Sequence, residues 1–129
     1  MAESRHTFPA SARLSGKPRF DAVYAAGRRE SRGPLLLYSL PNSLGHLRLG
    51  LSVSRRIGSA VQRNAIKRLL REAFRLLRHD LPQGYDLVIV VRRHENMMLA
   101  EYQKLLQWLL IRAHQSWTGA SRAGADQLG

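Results

Sequence analysis

Residues 55–75 read RRIGSAVQRNAIKRLLREAFR, a segment with seven arginine or lysine side chains and a single carboxylate, Glu72. Its apolar residues recur every three or four positions, which is the spacing of one helix face. Ser59 and Gln62 have the spacing of a capping box, in which two side chains bond the unpaired N–H groups at a helix start. The sequence therefore predicts a helix over about residues 59–79.

At about 100° per residue, this predicted helix has an apolar face and a cationic face. The cationic face consists of Arg63, Asn64, Lys67, Arg68, Arg71, Arg75 and Arg78. A solvated surface helix would normally interleave glutamate with lysine, whereas the like charges here repel one another. A phosphate backbone would remove that repulsion, and arginine binds phosphate bidentately, so the pattern favours a nucleic-acid partner. A membrane partner is disfavoured because the apolar face is expected to pack on a sheet.

The flanking sequence predicts a small α/β sandwich of order αβ(β)βαβα. A short helix over residues 17–26 has Pro18 in its first turn and ends at Gly27. Strands are predicted over residues 35–40 and 47–54, joined as a hairpin, and over residues 85–93. A helix over residues 99–117 completes the order.

Composition limits the class of protein. The 129 residues fit one domain, and 44% are apolar, enough for a core. The net charge of +12 indicates a polyanionic partner, and the lack of cysteine excludes disulfides, thiolate zinc sites and cysteine nucleophiles. No secretory signal or apolar run of roughly 20 residues is seen, so we expect a cytoplasmic protein. We expect a flexible arm at residues 1–14, a folded domain at 15–117 and a disordered tail at 118–129.

The sequence offers little independent chemistry. Its five histidines are scattered, and its carboxylates are spread singly. A protein ribonuclease usually needs a histidine pair or clustered carboxylates for metal ions. The segment His94, Glu95 and Asn96 could hold a metal, but a plain loop is the favoured interpretation. We therefore predict no catalytic residue and no metal site in the chain.

Three stretches together bring out a resemblance: RFDAVYAAG, LGLSVSRRIGSAVQRNAIKRLLREAFR and YDLVIVVRR. Over about residues 14–117 the chain resembles the protein subunit of bacterial ribonuclease P. The resemblance implies an α+β fold in which a four-stranded sheet is packed with three helices, similar to a ribosomal-protein domain. It also implies a left-handed βαβ crossover through the basic helix, where the general rule favours a right-handed one. One position departs from the family, which commonly has Arg-Asn-Arg where this chain has Arg63, Asn64 and Ala65.

The resemblance also implies a function. The protein would assist a catalytic RNA subunit, which holds the active site and its Mg²⁺ ions, in removing the 5′ leader of precursor tRNA. The protein itself would hold no cofactor, and neither a membrane nor a protein partner is implied. The positions implied to bind the RNA subunit are Arg55, Arg56, Arg63, Asn64, Lys67, Arg68, Arg71 and Arg75. The positions implied to line a cleft for the leader are Phe20, Tyr24, Tyr38, Gly50 and Ser52.

Two other functions remain open from the residues. A structural RNA binder of the ribosomal type would share the basic helix but not an aromatic cleft. A protein-only nuclease would need the metal or histidine cluster that the sequence lacks. The three aromatic residues also have an alternative role, since aromatic side chains at helical spacing usually belong to a core.

Overall fold

The computed structural model describes residues 8–128 of the chain, with side chains to residue 119. It contains three α-helices and one four-stranded sheet, which confirms the predicted α+β class. Within residues 8–128, no helix is both long and apolar enough to cross a membrane. The elements in chain order are α1 (Lys17–Ala26), β1 (Arg29–Arg32), β2 (Leu35–Pro41), β3 (Arg48–Ser52), α2 (Ala60–Leu77), β4 (Tyr85–Val91) and α3 (Leu99–Leu128).

The basic helix α2 begins as the sequence predicts. The Ser59 hydroxyl accepts a bond of 3.2 Å from the Gln62 N–H, and the Gln62 amide oxygen accepts one of 2.8 Å from the Ser59 N–H. This capping box is therefore confirmed. Leu70, Ala73 and Phe74 of α2 are fully buried in the core.

Strand β4 lies at the centre of the sheet, whose order is β1-β2-β4-β3. It pairs antiparallel with β2 and parallel with β3. The predicted hairpin between the strands at 35–40 and 47–54 is therefore wrong, because β4 separates β2 from β3. The physical reason is that β4 is apolar on both faces apart from Asp86, and such a strand is buried best between two other strands. The parallel β3–α2–β4 connection is present, and its left-handedness remains a prediction.

The hairpin of this fold is instead formed by β1 and β2. Gly33 makes the turn with a φ of +57°, a left-handed conformation that favours glycine. The sequence RESR of β1 has no apolar alternation, so its residues predict no strand there. Charged side chains are common on edge strands, where they discourage pairing with other chains.

The helices cover the two faces of the sheet unequally. Helices α2 and α3 pack on one face and enclose the main core, which includes Leu37, Ile89 and Leu106. Helix α1 packs on the other face, where Val23 and Val88 are fully buried and three aromatic rings are partly buried. This second face therefore keeps an open area beside α1.

A buried ion pair joins β3 to β4 on the α1 side of the sheet. The Arg48 guanidinium donates to both carboxylate oxygens of Asp86, at 2.8 and 2.6 Å. The Asn42 amide donates a further bond of 2.8 Å to Asp86. The Arg48 and Asp86 side chains are only 17% and 10% exposed, so the pair is shielded from solvent.

The folded part extends beyond both predicted boundaries. Within the expected arm, residues 10–12 form a 3-10 turn, Ala12 and Leu14 are buried, and the Leu14 N–H donates to the Leu49 carbonyl at 3.0 Å. Residues 1–7 of that arm lie outside the described residues. At the other end α3 continues to Leu128, past the predicted end at residue 117. The tail lacks proline and contains good helix formers, so its glycines alone do not end the helix.

Candidate nucleic-acid interface

A groove of about 440 Å³ runs along the cationic face of α2. Of the described residues, five cations and only one carboxylate line it, which gives the groove a strongly positive field. The lining residues are Phe8, Arg13, Asn64, Lys67, Arg68, Arg71, Glu72 and Arg75. We call this surface the basic groove.

Five of the eight predicted RNA-binding residues lie in the basic groove. They are Asn64, Lys67, Arg68, Arg71 and Arg75. Arg63 does not line it: its side chain is half-buried and donates to the Gly58 carbonyl at 3.3 Å. Arg55 and Arg56 are exposed in the 3-10 turn before α2, outside the groove lining. The structure thus brings five of the predicted residues together along one face of α2 and leaves the other three outside the groove lining.

Arg75 already has a partner inside the protein. It donates two bonds to the Glu72 carboxylate, at 2.9 and 2.6 Å. The hydrogen bonds to Glu72 raise the pKa of Arg75, and they outweigh burial, which lowers it; the Glu72 charge adds to the increase. Arg75 therefore contributes less net charge to the groove than Lys67 or Arg68.

The N-terminal segment forms the opposite wall of the basic groove, which the sequence analysis did not predict. The Phe8 ring packs on the Phe74 ring with centroids 5.8 Å apart, and the Arg13 guanidinium lies 5.6 Å from the Phe8 centroid. On a helical wheel Phe74 falls within the cationic arc, yet it is fully buried. This apolar residue among the cations was the available signal that something covers that part of α2.

Ala65 lies outside the basic groove. It is exposed and borders a separate pocket of about 370 Å³, together with Val61, Leu69 and Met97. The neighbouring Gln62 uses its amide oxygen in the capping box. An arginine at position 65 would therefore project from a different side of α2 than Lys67 and Arg71.

The predicted aromatic cleft lies on the other face of the sheet, between α1 and the strands. Phe20 and Tyr24 have ring centroids 6.5 Å apart, and Tyr24 meets Tyr38 edge-on at 4.9 Å. All three rings are half-buried, so they pack on the core and keep an exposed edge. The rings therefore contribute to the core of this face, and their role in binding a leader remains a prediction.

Gly50 has a more specific place than the sequence predicts. A Cβ atom at this position would overlap the Phe20 ring, whose Cε1 would be 2.8 Å away. Glycine at position 50 thus allows the Phe20 ring to lie directly on β3. Ser52 lies two residues further along the same strand face and is half-buried.

The basic groove and the cleft meet at a smaller pocket of about 290 Å³. Phe20 and Gly50 line this pocket from the cleft side. Arg13 and Arg71 line it as well as the basic groove. Burial, and secondarily the nearby positive charge of Arg13, lowers the pKa of Arg71.

The described part of the chain contains no group of three or more histidine or carboxylate side chains that could hold a metal ion. His94 instead bonds the Arg92 carbonyl at 2.7 Å and the Tyr102 hydroxyl at 2.6 Å. Its ring nitrogens are therefore both occupied by partners within the fold.

The fold and its surfaces define a class: small, strongly basic α+β proteins with a cationic helix groove beside an aromatic cleft. The sequence model of the ribonuclease P family matches residues 8–114. The chain therefore belongs to the ribonuclease P protein family, which confirms the resemblance.

Individual relatives agree. The chain is 38% identical over 108 residues to the ribonuclease P protein component of Desulfovibrio desulfuricans, covering 82% of this chain and 83% of that protein. Its fold is similar to that of the Staphylococcus aureus RNase P protein, with a TM-score of 0.70 at 30% identity, covering 79% and 94% of the two chains. The RNase P protein of Thermotoga maritima, solved in complex with 1-(4-fluorophenyl)-2-thiourea, gives a TM-score of 0.69 at 30% identity, covering 75% and 96%.

Proposed function

We propose that this ribonuclease P protein component binds the catalytic RNA subunit and the 5′ leader of precursor tRNA, and so assists removal of the leader. Membership of the family supports a ribonucleoprotein with an RNA subunit. The observation that carries the proposal is the basic groove, whose five cations face one carboxylate. Phosphate groups neutralise such a surface and release counterions, which drives RNA binding.

We assign the leader to the cleft because the rings of Phe20, Tyr24 and Tyr38 are only half-buried and keep exposed edges. Stacking of a base on an aromatic ring contributes about 1 to 3 kcal/mol and tolerates any base. This suits a leader whose sequence varies among precursor tRNAs. In this proposal the phosphodiester hydrolysis and its Mg²⁺ ions belong to the RNA subunit, and the protein contributes binding and orientation. The predicted cytoplasmic location is part of the same proposal.

A cleavage assay with precursor tRNA tests the proposal. Protein alone, the cognate RNA subunit alone and the two together are compared at low Mg²⁺ concentration. We expect efficient cleavage only with both. Cleavage by the protein alone would favour a protein-only nuclease, and equal cleavage with and without protein would favour a purely structural RNA binder.

Two substitutions separate the surfaces. Phe20→Leu should weaken binding of precursor tRNA to the reconstituted holoenzyme by about 1 to 3 kcal/mol, while binding of mature tRNA, which has no leader, stays nearly unchanged. Arg68→Gln should instead weaken assembly with the RNA subunit. Thermal melting of both variants checks that they fold. If Phe20→Leu weakens the affinity for precursor and mature tRNA equally, the rings have a purely structural role.

A further inference from the structure

The two RNA-facing surfaces share a single pair of side chains, Arg13 and Arg71. Arg13 comes from the N-terminal segment and Arg71 from the middle of α2. Both line the basic groove and also the smaller pocket under Phe20. An RNA strand that spans both surfaces would therefore pass beside these two side chains.

The position of Arg13 is fixed by its backbone. Arg13 forms a parallel β-bridge with Leu49, and the following Leu14 N–H donates to the Leu49 carbonyl at 3.0 Å. Arg13 also closes the 3-10 turn by donating its N–H to the Ala10 carbonyl at 3.1 Å. The side chain therefore starts from an ordered strand edge, so binding a ligand requires ordering of the side chain but not of the backbone.

Arg71 is held close to this residue in a partly shielded position. It is half-buried, so the repulsion between the two positive charges is screened less than at the open surface. Each guanidinium group carries a planar fork of N–H donors that matches a phosphate group, so two of them in one pocket can bind one phosphate with several hydrogen bonds. An anion between them would remove the repulsion and satisfy both groups.

We infer that Arg13 and Arg71 together bind one backbone phosphate of RNA at the junction of the basic groove and the aromatic cleft. This inference deepens the proposed function and rests on it for the identity of the RNA. The phosphate belongs either to the precursor tRNA leader or to the RNA subunit. Both sources have the same chemistry, and the experiment separates them.

The test is a double-mutant cycle with Arg13→Gln, Arg71→Gln and the double variant. Lys104→Gln is the matched control, because it removes one positive charge from an exposed position of α3 outside both pockets. Three affinities are measured for each protein: for the RNA subunit, and, in the holoenzyme, for precursor and for mature tRNA. A fourth titration uses a short single-stranded RNA with the protein alone, so the pair is tested even without cleavage activity.

We expect each single substitution to weaken binding about tenfold, the size of one charge-assisted contact. The double variant should lose little more than the single ones, because all three lose the same phosphate. Lys104→Gln should change the affinities less than twofold. A loss with precursor but not mature tRNA assigns the phosphate to the leader, and a loss in RNA-subunit binding assigns it to the subunit.

Two results would overturn the inference. If the single effects multiply to about a hundredfold in the double variant, the arginines bind separate groups. If neither single variant differs from Lys104→Gln in any titration, the pair binds no phosphate. The cleavage assay with wild-type protein tests the proposed function separately. If the wild type supports cleavage but the cycle gives either of these results, only the shared phosphate site is refuted.

Folding is controlled independently of binding. Thermal melting of each variant shows whether the N-terminal segment stays packed. Arg13→Lys is a second variant that keeps the charge and the aliphatic stem but lacks the planar fork. It should have the same melting temperature as the wild type. Its RNA affinity should lie between that of the wild type and that of Arg13→Gln.

Discussion

The contact between Gly50 and Phe20 allows a stringent test of the cleft. In Gly50→Ala the new Cβ would overlap Cζ of Phe20 and lie 2.8 Å from Cε1, whereas carbon atoms in contact are about 3.5 to 4.0 Å apart. The ring must therefore withdraw by more than about 1 Å. Overpacking of this kind costs about 1 to 3 kcal/mol, and because the half-buried ring can move outward we expect about 1 kcal/mol.

The same contact predicts a partial rescue. Adding Phe20→Leu to Gly50→Ala removes the obstructing ring, so the free energy of unfolding should return close to that of Phe20→Leu alone. Leucine cannot stack on a base as a ring does, so the affinity for precursor tRNA should stay low. Urea denaturation measures the first quantity, and paired binding of precursor and mature tRNA measures the second.

Gly119→Ala is the matched control, since an added Cβ there meets nothing within 4 Å and the residue lies in a helix. It should stabilise the protein by up to about 1 kcal/mol. A Gly50→Ala protein as stable as the wild type would refute the close packing. Restored precursor affinity in the double variant would refute the stacking role of Phe20.

Three further predictions concern charge. Burial raises the pKa of Asp86, but the hydrogen bonds from Arg48 and Asn42 and the charge of Arg48 outweigh it, so the pKa is lowered overall. The pair therefore stabilises the fold above the unfolded pKa of about 4, and this contribution is lost as pH falls through the lower folded pKa. Asp86→Asn should lower the free energy of unfolding, measured by urea denaturation, by about 3 kcal/mol at pH 7. The variant should not show the decrease in stability that the wild type shows at acid pH. A variant as stable as the wild type at pH 7 would contradict this prediction. Arg68→Gln should reduce the slope of log K against log salt for the RNA subunit by about one unit, and an unchanged slope would place Arg68 outside the interface. Ala65→Arg should change RNA-subunit affinity, measured by filter binding, less than about threefold, because position 65 borders a separate pocket; a tenfold gain would show that RNA reaches that side of α2.

The features predicted correctly from the sequence are mostly local ones. The start of α2 depends on Ser59 and Gln62, three residues apart, and α1 is bounded by Pro18 and Gly27 as the sequence indicates. Helix caps and helical spacing depend only on residues that are close together in the sequence, within one helix. The cationic face was predicted for the same reason, since the spacing of Lys67 and Arg71 fixes their common direction.

The strand order could not be predicted in this way. Alternating residues in β3 show which side is buried but not which strand lies beside it. The turn residues after β2 favoured a hairpin, and the burial of both faces of β4 outweighed that local preference. The four-residue strand β1 has no apolar pattern, so only its pairing with β2 defines it.

The N-terminal segment shows why the rest of the candidate site was missed. Arg13 lies beside Arg71 because the Leu49 carbonyl holds Leu14 at the free edge of the sheet, a contact between distant parts of the chain. Leu49 is followed directly by Gly50, on which the Phe20 ring lies. Strand β3 thus positions Arg13 along its edge and Phe20 on its face. A change in the backbone of β3 would therefore shift both Arg13 in the basic groove and Phe20 in the cleft. The two surfaces depend on the same uncharged residues, Leu49 and Gly50.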